Sequence, residues 1–322
     1  MRKLFLKHFG IAGQMQQSTK AVIMMAALFT VAQIGALVMV ASVLGEEYQA
    51  FEDPNDPLIP VYYLIAILFF TLLVLYIIKK GKENIVRMIF LGAVAYTMFI
   101  VLWATTSSLG LGVASLLLSL LATAALTYML VKKPEWHVID VTGTIVAIGV
   151  IGILGISLQI LPVLVLLVAL AVYDAVSVYG TKHMVALADG VTQMKLPILL
   201  VVPKKLSYSY LDQKPLRKQI EEGGEREAMF MGLGDVIIPG VLISSAFYCL
   251  AQDEILGIGG NLLVSLGTLV GALVGFSILM TFVLKGNPQA GLPLLNGGAI
   301  AGYFISYLLV FGDLSMGIVA PW

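Results

Sequence analysis

Residues 141–180 read VTGTIVAIGVIGILGISLQILPVLVLLVALAVYDAVSVYG. A helix that crosses about 30 Å of hydrocarbon needs about 20 residues, so this apolar run is long enough for two membrane spans. The polar interruption at 157–162 divides the run, because Pro162 suits the first turn of a new helix. The stretch therefore predicts consecutive transmembrane helices at 141–158 and 160–180, with one charged residue, Asp174, inside the second.

The rest of the chain has the composition of a protein that is solvated by lipid. Of its 322 residues, 59% are apolar and 12% are charged, and the mean hydropathy is +0.98. A soluble domain has about 25% charged residues. The sequence therefore predicts an all-α polytopic membrane protein with nine transmembrane helices. The predicted spans are 21–44, 58–78, 88–106, 109–131, 141–158, 160–180, 228–250, 261–284 and 291–311.

The basic residues are distributed unevenly over the connections. All 19 Lys and Arg residues lie before the first span or in the second, fourth, sixth and eighth connections. The other connections contain none, and the first is acidic. By the positive-inside rule, the amino terminus is cytoplasmic and the carboxyl terminus lies outside. The net charge of zero excludes a broadly basic nucleic-acid-binding protein, so no nucleic-acid partner is expected.

These connections divide the chain into three parts. Residues 1–180 form an amino-terminal membrane bundle of six spans, 181–227 form a cytoplasmic connecting loop, and 228–322 contain spans seven to nine. Within the loop, the Pro-bounded apolar run at 196–203 predicts either a short strand or an interfacial segment. As a strand, it would have an unpaired edge to which another extended segment could add.

Two acidic residues, Asp174 in span six and Asp235 in span seven, lie inside predicted spans rather than in connections. A carboxyl group at this depth is costly in lipid, so a functional role is expected. Counted at about 1.5 Å per residue from Lys182 and Arg226, both lie about 12 to 13 Å from the cytoplasmic edge. Such a pair, with no basic partner, is expected to share one proton. One carboxyl group can then activate water while the other polarises a carbonyl.

Short motifs surround these acids and open the last span. They are Tyr173-Asp174 in span six, Gly232-Leu233-Gly234-Asp235 in span seven and Leu292-Pro293 at the start of span nine. Together they resemble the signatures of the presenilin and signal peptide peptidase family of intramembrane aspartyl proteases. The third motif departs from the family's Pro-Ala-Leu, since Ala290 and Gly291 precede Leu292 here.

The resemblance implies a presenilin-like fold and the hydrolysis of peptide bonds within the transmembrane helices of membrane-protein substrates. It assigns catalysis to Asp174 and Asp235, with water as the nucleophile and with no cofactor or metal. It assigns substrate positioning to Tyr173, Gly232, Leu233, Gly234, Leu292 and Pro293. The expected partners are transmembrane-helix peptides and the lipid bilayer, and a homo-oligomer is left open. The cytoplasmic amino terminus and compact build are similar to a microbial presenilin homologue in a prokaryotic cell membrane.

One alternative function stays open at the level of sequence. Two buried acids could bind the coupling ion of a proton- or ion-coupled membrane transporter, although the chain shows no twofold repeat. A zinc protease is not predicted, because His8, His137 and His183 lack the His-Glu-x-x-His spacing.

Overall fold

A computed structural model describes residues 2–51, 54, 56, 58–181, 198–204, 208–210, 227–255, 257–285 and 289–318. The α-helices within these residues are α1 (Arg2–Ser42), α2 (Ile59–Lys79), α3 (Glu83–Ser108), α4 (Val113–Lys132), α5 (Trp136–Ser157), α6 (Ile160–Ala175), α7 (Leu233–Cys249), α8 (Gly260–Leu284) and α9 (Gly291–Phe311). The strands are β1 (Leu199–Pro203), β2 (Ala228–Gly232), β3 (Glu254–Ile255) and β4 (Ile258–Gly259). Most of the predicted cytoplasmic loop, including His183, lies outside the described residues.

The helices agree with the predicted number of membrane spans. Within the described residues, eight helical segments contain at least 18 residues and are apolar enough to cross a membrane, when α6 is counted together with the π-helical turn that continues it to Tyr179. α7 is shorter than 18 residues and is apolar as well. α7 has 17 residues, which gives a length of about 25 Å. This is less than the hydrocarbon thickness of about 30 Å. α7 is short because the five residues before it, Ala228–Gly232, form a strand and not a helical turn.

The prediction that span seven begins as a helix at residue 228 is wrong. Residues Ala228–Gly232 form β2, which pairs with β1 in antiparallel register and sets Val201 opposite Phe230. A short apolar run is compatible with either a buried strand or a buried helix, so hydropathy alone does not distinguish them. The strand predicted in the connection between spans six and seven is confirmed at Leu199–Pro203, and its partner β2 occupies the predicted start of span seven.

The start of span five also differs from the prediction. The sequence pattern placed it at residue 141, whereas α5 begins at Trp136 after an extended Glu135. Asp140 therefore lies inside this helix, and 3% of its surface is exposed. Sequence reasoning found two carboxyl groups inside membrane spans, and the structure adds Asp140 as a third.

α5 is the most buried of the membrane-spanning helices and packs against α1, α3 and α7. Gly155 of α5 makes the contact with α7 close, because a Cβ at this position would overlap the side chain of Ser244. α2, in contrast, is exposed along most of its length. The helix that carries Asp235 is therefore held in the interior of the bundle.

α8 and α9 approach each other through glycines. Gly271 of α8 lies against Gly298 and Gly302 of α9, and a Cβ on Gly271 would come within 2.7 Å of the Gly302 Cα. Gly267 and Gly275 flank Gly271 at four-residue spacing, which is typical of close helix contacts in membranes. This contact fixes the position of α9, whose first turn reaches the two acids.

Candidate active site

Asp235 is held at the amino end of α7. Gly232, the residue before the helix, is extended, with φ −61° and ψ 137°. Asp235 is the third helical residue, and its carboxyl group accepts a hydrogen bond from the Gly232 amide, which is one half of a capping box. An acidic side chain is also favoured in this turn, because the first amides of a helix are unpaired and its dipole is positive there.

Asp174 lies at the end of α6, just before a π-helical turn, Val176–Thr181. Its side chain is buried, with 5% exposed. Its Oδ2 accepts a hydrogen bond from the amide of Leu292, with an oxygen to nitrogen distance of 3.0 Å. Leu292 is the second residue of α9, so Asp174 satisfies one of the amides that have no partner inside that helix.

Gly291 contacts both carboxyl groups. Its amide interacts with Asp174, and a Cβ at Gly291 would lie 3.1 Å from Oδ2 and 3.3 Å from Oδ1 of Asp235. Asp174 and Asp235 are therefore close enough to interact electrostatically. The start of α9 is therefore the element that brings the acids of α6 and α7 to one site.

The structure places Asp174 and Asp235 at the same turn of α9, but the residue count that predicted an equal membrane depth for them does not apply. That count began at Arg226 and assumed one continuous helix to Asp235, whereas β2 is extended. Extended residues rise about 3.3 Å each and helical residues about 1.5 Å. The acids meet because α6, α7 and α9 pack together.

Tyr179 holds the chain that leads into α9. This residue lies in the π-helical turn after Asp174, and its hydroxyl donates to Oε1 of Gln289 at 2.6 Å. The same hydroxyl accepts a longer hydrogen bond, of 3.4 Å, from the Ala290 amide. π-Helical turns are frequent at functional sites, and this one directs Tyr179 toward the residues that precede Gly291.

The other residues of the predicted motifs lie in different surroundings. Gly234 is exposed, and no atom lies within 4 Å of the position of a Cβ, so the space beside Asp235 is open. Leu233 is buried, and its amide donates to the Ile198 carbonyl at 2.9 Å. Tyr173 has 46% of its surface exposed, in contrast to the buried Asp174 beside it in the chain.

A groove of about 290 Å³ lies between α6 and α9. Ala171 and Ala175 line it from α6, and Pro293 and Asn296 line it from α9. The side-chain amide of Asn296 donates to a carbonyl of α6 at 2.9 Å, while its Oδ1 is buried without a hydrogen-bond partner among the described residues. The groove is apolar and adjoins the turn that contains Asp174.

The two edges of the β1–β2 hairpin differ. In an antiparallel pair, hydrogen-bonded and non-hydrogen-bonded positions alternate. The bond from Leu233 to Ile198 marks the hydrogen-bonded set, so Val201 and Phe230 point outward. The Val201 amide donates to Oδ1 of Asp140 at 2.7 Å. Among the described residues, the outward groups of Phe230 have no backbone partner. The free edge therefore belongs to β2, and not to β1 as the sequence suggested.

Sequence reasoning missed four residues around this site: Asp140, Tyr179, Gly291 and Asn296. Asp140 had a signal, since it is an acid that directly precedes an apolar run without a basic neighbour. Gly291 was set aside because it departs from the family motif. The contacts of Tyr179 and Asn296 join residues more than 100 positions apart in the chain, so no local pattern could reveal them.

The arrangement suits acid and base chemistry on a water molecule. Two carboxyl groups lie at the first turn of α9 beside the open space at Gly234, and no basic side chain is bonded to either in the described part of the chain. No group of three or more His, Cys, Asp or Glu side chains among those residues could hold a metal ion. A pair of carboxyl groups can divide the roles of acid and base without one.

The fold and this pair of acids define the class of the protein, an aspartic protease embedded in the membrane. The model of the signal-peptide peptidase, presenilin aspartyl protease family matches residues 26–312. The chain belongs to that family. It is a multi-pass membrane protein that hydrolyses peptide bonds of membrane-embedded substrates, and the transporter alternative is not favoured.

Solved structures resemble the chain over nearly its whole length. A presenilin family intramembrane aspartate protease in the C222 space group is 33% identical, with 89% of this chain and 99% of that chain covered and a TM-score of 0.66. A structure in the P2 space group is 34% identical, covers 88% of this chain and 96% of that one, and has a TM-score of 0.62. No match was found among curated proteins.

Proposed function

We propose that Asp174 and Asp235 are the catalytic pair of this protease. The observation that carries the proposal is the contact of Gly291 with both carboxyl groups. One carboxylate takes a proton from water, and the resulting hydroxide attacks the carbonyl carbon of the substrate. The other, protonated carboxyl group donates a hydrogen bond to the carbonyl oxygen. When the carbon–nitrogen bond breaks, the first carboxyl group returns the proton that it took from water to the leaving amine, and the other product is the carboxylic acid. The open space at Gly234 admits the water and the substrate.

The substrate is proposed to add as a strand to β2. A membrane helix hides its amides in internal hydrogen bonds, so a turn or more must unwind before its scissile carbonyl is accessible. The freed backbone groups then need partners, because unpaired groups are costly in lipid. The outward amide and carbonyl of Phe230 can supply them, and Phe230 lies two residues before Gly232, whose amide bonds to Asp235.

The remaining predicted residues take supporting roles in this proposal. Leu292 holds Asp174 through its amide, and Pro293 shapes the groove between α6 and α9, where the helical part of the substrate would lie. Leu233 joins the hairpin to α7. A role of Tyr173 in substrate positioning stays a prediction.

The orientation of the chain is also a proposal. The distribution of Lys and Arg supports a cytoplasmic amino terminus, a cytoplasmic loop at 181–227 and an external carboxyl terminus. The compact build supports placement in the cell membrane of a prokaryote. With this orientation, the hairpin approaches the acids from the cytoplasmic side.

Replacement of each acid tests the catalytic pair. Asp174→Asn and Asp235→Asn should each slow cleavage of a purified single-span peptide by on the order of 10²- to 10⁴-fold, because neither acid alone can act as both acid and base. Fragments are quantified by mass spectrometry, and thermal unfolding shows that the variants fold. Asp253→Asn, an exposed acid remote in sequence from either motif, is the matched control. Cleavage at the normal rate by either site variant would refute the pair.

A proline at Phe230 tests strand addition. It removes the outward amide but none of the bonds between β1 and β2, since prolines are tolerated at such edge positions. Cleavage should slow while the acids stay in place. Leu200→Pro, which removes an amide of the β1–β2 ladder, should instead loosen the whole hairpin. Normal cleavage by Phe230→Pro would contradict strand addition without affecting the catalytic pair.

A further inference from the structure

Asp140 is a buried carboxyl group that the proposed chemistry does not use. It lies on α5, with 3% of its surface exposed, and one of its oxygens accepts a hydrogen bond from the Val201 amide at 2.7 Å. Its other oxygen, Oδ2, is buried without a hydrogen-bond partner among the described residues. A charged or polar group in this position is costly, so its single bond to β1 requires an explanation.

The bond to Val201 occupies the edge of β1 that faces away from β2. Val201 stands opposite Phe230 at a position where neither residue bonds to the other strand. The carboxylate of Asp140 thus accepts the hydrogen bond from the Val201 amide that a third strand would otherwise accept. A strand that joins these two strands is therefore expected on the side of β2, where the outward groups of Phe230 have no backbone partner among the described residues.

The hairpin connects this bond to the acid of α7. β2 passes directly into α7 through Gly232, whose amide bonds to the carboxyl group of Asp235. A displacement of β1 on α5 would therefore move the β2 edge and the start of α7 together. The Asp140 bond fixes how far the edge that receives the substrate lies from the two acids.

A second carboxylate, just before α5, binds the segment that follows β1. Glu135, the residue before α5, accepts hydrogen bonds from the Ser209 hydroxyl and the Tyr210 amide, both at 3.1 Å. Tyr210 is itself buried, with 2% exposed. The start of α5 therefore holds the chain at two points, one within β1 and one beyond it.

We propose that Asp140 is a positioning residue that acts through the Val201 amide and sets the register of the substrate against Asp174 and Asp235. This inference rests on the proposed function. The positioning role requires Asp140 to accept a hydrogen bond and does not require it to donate or carry a proton. The amide oxygen of an Asn can accept the same bond, and a Val cannot.

The test compares Asp140→Val, Asp140→Asn and Val201→Pro in cleavage of a purified single-span peptide. We expect Asp140→Val and Val201→Pro each to lower kcat by at least about tenfold, because a displacement of about 1 Å can cost on the order of 10²-fold. KM should change by less than about twofold, because the β2 edge stays free. Mass spectrometry should show products cut about two residues from the normal site, the spacing that keeps the same face of a strand. Asp140→Asn should keep most of the rate and the normal cleavage site.

A double variant shows whether Asp140 acts through Val201. If it does, Asp140→Val combined with Val201→Pro is no slower than either single variant, because both remove one bond. Val202→Pro, which removes an amide of the β1–β2 ladder, is the control for a proline in this strand. If Asp140→Val does not fold, Val201→Pro and Asp140→Asn decide the matter.

Three results would overturn the proposal: a normal rate for Asp140→Val or Val201→Pro, an Asp140→Asn variant as slow as Asp140→Val, or multiplied losses in the double variant. Asp235→Asn in the same assay distinguishes a failure of the Asp140 proposal from a failure of the proposed catalytic pair. Cleavage by Asp235→Asn at the normal rate would refute the catalytic pair. The role of Asp140 is judged separately, from the cleavage rates of the Asp140 and Val201 variants.

Discussion

A side chain added at Gly291 should disturb the two acids and slow cleavage. A Cβ there would lie 3.1 to 3.3 Å from the carboxyl atoms of Asp235, whereas ordinary van der Waals contact begins at 3.4 Å. Gly291→Ala therefore displaces the carboxyl group by a few tenths of an ångström. Gly291→Val adds two methyl groups that extend about 1.5 Å beyond the Cβ. They must enter the space between the acids or displace Asp235 by about 1 Å.

The expected losses follow from these displacements. A misplacement of about 1 Å in a catalytic group can cost on the order of 10²-fold in rate, which corresponds to about 2.7 kcal/mol in the activation free energy. Gly291→Val should therefore lose about 100-fold in kcat, and Gly291→Ala only a few-fold. The family motif has Ala where this chain has Gly291, in agreement with a small effect of that change.

The assay is cleavage of a purified single-span peptide in detergent, with kcat from fragment quantification and Tm from thermal unfolding. Gly92→Val is the matched control, because Gly92 lies in a helix with no atom within 4 Å of a Cβ position. Its cleavage rate should equal that of the unaltered protein. A normal kcat for Gly291→Val, or a loss of Tm that accounts for its lost activity, would refute the assignment of Gly291 to the space between the acids.

Further predictions concern the helix contact, the loop before α9 and the shared proton. Gly271→Ala should lower the free energy of unfolding by about 1 to 3 kcal/mol, because its Cβ would meet the backbone of Gly302. Gly297→Ala, where a Cβ meets open space, should leave the Tm nearly unchanged. Tyr179→Phe removes the hydrogen bond to Gln289, worth about 1 kcal/mol, so cleavage should fall about fivefold, and an unchanged rate would argue against its role. Cleavage should fall toward both low and high pH, because the pair needs one proton and not two or none, and a flat pH profile would contradict the shared proton.

Some features around the acids were predictable from the sequence, and others were not. The nine spans and the two acids within spans six and seven followed from hydropathy and from the rarity of charge in lipid. The strand in the connection between spans six and seven was also predicted, but its partner strand was not. The strand was expected to offer an unpaired edge, whereas the outward amide of Val201 donates to Asp140, which lies on a helix about 60 residues earlier in the chain.

The sequence by itself determined the membrane class, the number of spans and the two candidate acids. These properties depend on the free energy of transferring single residues and short segments from water to lipid. The composition and the local sequence determine that free energy. Only the tertiary structure decided that Ala228–Gly232 is a strand, that Asp140 is buried and that Gly291 contacts both acids. Each of these depends on a partner far along the chain. A backbone amide is satisfied equally well by its own helix or by a distant strand, so local sequence does not choose between them.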